Sequence, residues 1–450
     1  MNKKTIITLA FVVAQFFSKQ VNAQVPPGLQ QLLQDTLVSL QAASGYKGLS
    51  ASVGYKNTGI WKSAVGESAP SIALTTDDLI GIGSNTKTFV SAMMLKLMED
   101  GHVHLTDTIG TWIQGFPTIN GQITIHQLLN HTSGLANYTD NTVFLDSLNV
   151  DINRIWTKPE LLAYVSPPSF APGSSWEYSN TNYIIASIIE EQIVGSPIHQ
   201  IIRDSILYPL NLNHTFFPTY ETATFPYAQV YTNLGAGYAF LNFPFSLNSA
   251  INGTGDIVSN AEDNTKFWQA LFAGQIINRN TLNDSMLNCV IADPTIGIDY
   301  YGLGIMNAYY MGNALYSHGG DWIGQVNRNI VDTSNNIYVT VLSNQDSIDI
   351  NSVMNTLYLV ALNYSTTAIE ESSPNSISLD VYPSPATTEL YFTANKKMQS
   401  YFIYSTMGEL INEGIITNTE INLSSLDPGI YMIVFKNDDG NTVAKKIIKQ

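Results

Sequence analysis

A single cysteine, Cys289, in 450 residues rules out an intrachain disulfide, a zinc finger and a dithiol redox couple alike. Cations are also scarce: 20 Lys and Arg stand against 36 Asp and Glu, a net charge of -16. So acidic a surface repels a phosphate backbone and excludes nucleic acid as a partner. Charged residues of both signs reach only 12% against 44% hydrophobic, with 18 Phe and 24 Tyr, a balance that excludes a solvated disordered polymer. Past the first two dozen residues, no apolar run approaches the roughly 18 residues a membrane span requires. No internal repeat points to a solenoid either.

What is present begins with a leader. Lys3 and Lys4, an apolar run from Thr5 to Phe17 and the small residues around Val21-Asn22-Ala23 predict a secretory signal peptide over residues 1–23. Its removal takes three lysines and no acid, leaving 17 bases against 36 acids. Without a cysteine beside the cut, a lipid anchor is not expected.

Residues 24–364 mix long helical periodicity with strand-like runs, as one large α and β domain would. From Ser365 to Ser376 small, polar and acidic residues replace that pattern, so residues 365–376 read as a linker. Residues 377–450 then alternate in short segments: Ile377 to Val381, Leu390-Tyr391-Phe392, Tyr401 to Tyr404, Leu410 to Ile416, Ile421 to Leu423, Ile430 to Phe435 and Thr442 to Ile448. Seven strands in so short a stretch predict a β-sandwich of immunoglobulin-like proportions.

Three places carry chemistry. Gly81-Ile82-Gly83-Ser84-Asn85-Thr86-Lys87 leads into apolar positions at Phe89, Val90, Met93, Met94, Leu97 and Met98 and stops at Gly101, the pattern of a buried helix. Ser84 then lies at the helix start, where unpaired N–H groups favour developing negative charge. Lys87 sits three residues on, on the same face, and burial would make its amine a proton acceptor. Spacing alone is a weak signal, because Ser44-Gly45-Tyr46-Lys47 repeats it without a helix behind it. The second place is Trp176-Glu177-Tyr178-Ser179-Asn180, after a Pro172-Gly173 turn and before an apolar helix; a tyrosine there can move a proton and an asparagine can bond a substrate amide. The third is Tyr316-Ser317-His318-Gly319-Gly320-Asp321, with strand-like runs on both sides, where glycines let a ligand approach the backbone.

Ser84, Tyr178 and His318, 94 and 140 residues apart, together with the segment Ile123-Thr-Ile-His-Gln-Leu-Leu-Asn-His-Thr-Ser-Gly-Leu135, resemble the serine hydrolases of the penicillin-binding fold: class C β-lactamases, D-alanyl-D-alanine carboxypeptidases and related esterases. The resemblance covers roughly residues 35–363. It implies an α+β fold, with an antiparallel sheet built from the N-terminal strands and those around His318 to Leu342. Flanking helices and a mainly helical subdomain between about residues 105 and 290 complete it, with the site between the halves. It implies Ser84 as nucleophile, Lys87 and Tyr178 as proton carriers, and the backbone N–H groups of Ser84 and Asp321 as oxyanion hole. Asn180, His318, Gly319 and Gly320 would contact substrate, and no metal or cofactor is called for. Within the long segment, Thr124 can cap a short helix and Gly134 suits a left-handed turn, which leaves His131 a structural role.

Departures bear on the substrate. Class C β-lactamases carry lysine where this chain has His318; carboxypeptidase members place an arginine shortly before this strand, and here no Lys or Arg lies between Asn280 and His318. Gly319 also lacks the hydroxyl that many relatives offer. The expected activity is acyl transfer through Ser84 on D-Ala peptides or on small esters and amides. A β-lactamase, or a surface protein that binds cell-wall peptides or penicillin without turnover, stays open.

The tail resembles the C-terminal sorting domain of type IX secretion through Tyr382-Pro383-Ser384-Pro385, Leu426-Asp427-Pro428-Gly429-Ile430-Tyr431 and the basic end at Lys445, Lys446 and Lys449. It implies the type IX machinery as partner and the cell surface or medium as destination.

Overall fold

A computed structural model describes residues 24–450 apart from 234–237, 242, 244, 311–312, 371–376, 384, 406–409 and 439–440. The leader read over residues 1–23, Ser384 of the tail motif and residues 371–376 of the linker lie outside the described residues.

Ten strands, counted among the described residues, form one antiparallel sheet. Those used below are β1 (Gly48–Tyr55), β2 (Ile60–Ala69), β3 (Ile72–Ala73), β4 (Val290–Asp293), β5 (Ile298–Tyr301), β6 (Met306–Tyr310), β7 (Asn313–Ser317), β8 (Gly320–Trp322), β9 (Gln325–Asp332) and β10 (Ile337–Ser343). The order is β3-β2-β1-β10-β9-β7-β6-β5-β4, with β8 paired to β9. Leu49 of β1 pairs with Ser343 of β10, so the two ends of the domain join at the middle of the sheet, as expected.

Apolar layers cover both faces. Helix α1 (Pro27–Ser44) buries Leu29, Leu33 and Leu37 at four-residue spacing against Val53, Val339 and the last helix of the domain. On the other face, α2 (Thr86–Glu99), α3 (Asn180–Val194) and α4 (Ala261–Ala273) share a core with the helical subdomain. That subdomain is interrupted by a hairpin of Val230–Asn233 with Tyr238–Leu241. Thr124 caps Ile125–Leu129 through a reciprocal pair: Gln127 N–H donates to Thr124 Oγ1 at 3.2 Å, and Thr124 N–H to Gln127 Oε1 at 3.0 Å.

The last helix of the domain, α5, spans Asn351–Glu370 and so carries into the stretch read as linker from residue 365. The shift to small and polar residues does not by itself end a helix, since Ala and Glu are strong helix formers.

In the tail, all seven expected segments are strands, in two antiparallel sheets of three and four among the described residues. Leu379, Leu390 and Phe392 of one sheet and Ile403, Ile433, Phe435 and Ile447 of the other fill a shared apolar layer. No helix of the described residues is long and apolar enough to cross a membrane.

Candidate active site

Ser84 lies in a single turn, Gly83–Asn85, that runs straight into α2. Because α2 advances 100° per residue, Lys87 returns to the face Ser84 occupies. Its Nζ stands 3.1 Å from Ser84 Oγ and donates at 2.8 Å to the carbonyl of Thr254. The side chain is fully buried, with Nζ 4.9 Å from the Tyr178 ring centre. Burial pushes the amine well below lysine's ordinary value, and the nearby Asp256 carboxyl opposes this only in part. Asp256 is itself buried, which raises its carboxyl to about 7 and weakens the charge it offers Lys87.

Tyr178 reaches Ser84 from the other side: its hydroxyl bonds the serine, and burial pushes the phenol above its ordinary value. The turn that presents it is pinned by His131, whose ring lies tilted at 35° against that of Tyr178, 4.4 Å between centres. His131 Nδ1 accepts the backbone N–H of Ser179 at 3.2 Å and meets Asn182 Nδ2 at 2.9 Å.

Two further candidates, His318 and Asn180, are held by contacts within the fold. His318 is wholly buried: Nε2 is 2.8 Å from Tyr301 Oη and Nδ1 2.8 Å from the Gly319 carbonyl. Its ring lies beside that of Tyr178, at 6.4 Å between centres. Burial holds the imidazole down to about 3, so it is neutral at physiological pH. Asn180 starts α3, and its side-chain N–H donates to Thr139 Oγ1 at 3.0 Å, which commits part of its donor capacity to the fold. The decoy Ser44 falls at the end of α1, donating to the Leu40 carbonyl.

Gly83 and Gly320 let the serine turn and strand β8 cross at a distance no side chain permits. Gly83 has φ 50°, and a Cβ there would stand 2.8 Å from Asp321 N. A Cβ on Gly320 would stand 1.9 Å from Ile82 O and 2.6 Å from Ser84 N. The two backbone N–H groups expected to hold an oxyanion are thus brought to one crossing. Gly320→Ala must push β8 off the serine turn, at a cost of about 1–3 kcal/mol, with esterase turnover falling further than stability. Gly429→Ala, in the tail, meets nothing nearer than 3.5 Å and serves as the control. Thermal unfolding and esterase assays of both variants check this; equal activity in the two would refute the role of the crossing.

The crossing borders a cavity of about 450 Å³ lined by Ser84, Tyr178, Ser317, Gly319, Gly320 and Asp321 among others. Sequence reasoning missed Thr254, which anchors Lys87, and Tyr301, which anchors His318. Neither stands in a motif, since each acts from a distant element.

Residues 33–362, more than two thirds of the chain, match the protein family described as Beta-lactamase. The chain belongs to that beta-lactamase family. Residues 380–450 match the secretion system C-terminal sorting domain, which marks the protein for type IX export to the cell surface. Penicillin-binding protein 4* of Bacillus subtilis is 29% identical over 273 residues, covering 56% of this chain and 57% of the relative. This beta-lactamase family chain spans roughly half to two thirds of the length of the first curated relatives it matches. Among solved structures, a D-amino acid amidase from Ochrobactrum anthropi SV3 superposes with a TM-score of 0.66 at 27% identity, over 77% of this chain and 99% of that one. A D-stereospecific amidohydrolase from a Streptomyces species gives 0.62 at 29%, over 71% and 94%. The serine hydrolase fold with its antiparallel sheet and flanking helices is thereby shared.

Proposed function

We propose that this protein is a surface-exported hydrolase that acylates Ser84 and acts on small amides, esters or peptides of D-amino acids. The observation that carries it is the fully buried Lys87 amine 3.1 Å from the Ser84 hydroxyl. Burial disfavours the charged form of each neighbour, so the Lys87 amine gives up its proton more readily than an ordinary lysine while Tyr178 stays a neutral phenol. That asymmetry divides the work. The lone pair of Lys87 takes the Ser84 proton as Oγ attacks the carbonyl carbon, and the N–H groups of Ser84 and Asp321 hold the oxyanion. Collapse breaks the bond to the leaving amine or alcohol, which receives its proton through the Tyr178 hydroxyl. Water then attacks the Ser84 ester by the reverse route, releasing acid and restoring the serine.

The substrate class draws support from the relatives whose names specify D-amino acid amides and D-stereospecific amide hydrolysis. His318 in place of lysine argues in the same direction, because a neutral buried imidazole offers a β-lactam carboxylate no charge. The mature protein, residues 24–450, is expected to hydrolyse p-nitrophenyl acetate and D-phenylalaninamide, and nitrocefin far more slowly. Binding of these compounds without turnover of any would overturn the catalytic reading in favour of a binding protein.

A further inference from the structure

Asp321 and Arg328 lie together on the wall of the cavity that opens over Ser84, and among the described lining residues they alone carry charge. They come from adjacent antiparallel strands, β8 and β9, where Asp321 pairs with Val326 and Gly320 with Asn327. The guanidinium forks onto the carboxylate: Nη1 donates to Oδ1 at 3.0 Å and Nη2 to Oδ2 at 3.1 Å. Nη1 also reaches the carbonyls of Asn327 at 2.8 Å and Gly320 at 3.4 Å. Gly319 makes room for it, since a Cβ there would stand 3.3 Å from Arg328 Cδ and Nη1. The arginine side chain is 23% exposed and the aspartate 63%.

A two-pronged guanidinium is the group best shaped to hold a carboxylate. Here both prongs are already occupied, and the more exposed partner presents negative charge to whatever enters. We propose that Asp321 masks Arg328, so that the site selects substrates whose end is uncharged, amides and esters, over peptides ending in a free carboxylate. This rests on Ser84 being the acylation site, and it names the substrate class that the site takes. A single residue next to the oxyanion position thus decides between amidase-like and carboxypeptidase-like specificity.

The test measures binding, so it does not depend on turnover. Calorimetric affinities of N-acetyl-D-Ala-D-Ala and of its C-terminal amide are compared in full-length Ser84→Ala protein, alone and with Asp321→Asn or with Asp321→Asn plus Arg328→Gln. The acid-to-amide affinity ratio is expected to rise about tenfold with Asp321→Asn, the scale of one charge-assisted bidentate contact in a partly exposed site. It should fall back when Arg328→Gln is added, and the gain should shrink in high salt. An unchanged ratio in the Asp321→Asn form, or no detectable binding of the acid by it, overturns the proposal. Failure of the Ser84 reading would show separately, as active-site labelling that persists in the Ser84→Ala protein.

Discussion

Replacing Ser84 with alanine should abolish covalent labelling by a fluorophosphonate and lower hydrolysis of p-nitrophenyl acetate by about 10³-fold or more, since Ser84 is the cavity hydroxyl that Lys87 Nζ contacts. The fold should barely respond. The hydroxyl is partly exposed and its loss removes contacts with Lys87 and Tyr178, a cost near 1 kcal/mol. A melting temperature within a few degrees of wild type, alongside lost labelling, is therefore the expected pair of results. Undiminished labelling would show that another residue is acylated, and the mechanism built on Ser84 would fall with it.

Lys87 gives the second large effect, and it separates activity from stability. Lys87→Met removes the proton acceptor and should lower turnover by about 10²- to 10⁴-fold. In the wild type, acid protonates the amine and silences it, so kcat/KM should fall as pH drops through the depressed value; the variant should lose that limb. Stability moves the other way. Native Lys87 binds its proton more weakly than the unfolded residue, whose ordinary value is 10.5. Between the two values the unfolded state holds the extra proton, so stability rises with pH across that window and is lowest below it. Methionine carries no such linkage, so near neutral pH the variant should unfold at the same temperature as wild type or higher, with a shallower pH slope. Urea unfolding at several pH values, beside pH-rate profiles, would check both halves. A variant that keeps its activity or its acid limb would end the assignment of Lys87 as base.

The asymmetry between these variants follows from where each residue's properties originate. Ser84 and Lys87 were legible in the sequence because a helix period and a terminating glycine are local facts, visible in Phe89, Val90, Met93 and Met94. Tyr178 was legible from the Pro172-Gly173 turn ahead of it, and Thr124 from a capping pattern three residues long. The tail strands were legible too, since alternation needs no partner to be seen. Residues 365–370 read as linker from their polar composition, whereas α5 runs on to Glu370, because composition alone does not set where a helix ends.

By itself, then, the chain's sequence determined its helices, most of its strands, the pairing of Ser84 with Lys87, and the family to which it belongs. Tertiary structure alone decided the chemistry between them. It brought the Thr254 carbonyl under Lys87 and buried that amine, which lowers its hold on a proton. It turned His318 into the core onto Tyr301, and it closed the Gly83–Gly320 crossing. It also laid Arg328 against Asp321, two residues whose encounter depends on the register of adjacent strands. The physical reason is common to all of these: charge state and reach are set by dielectric and by contact, and both are properties of neighbours far away in the chain.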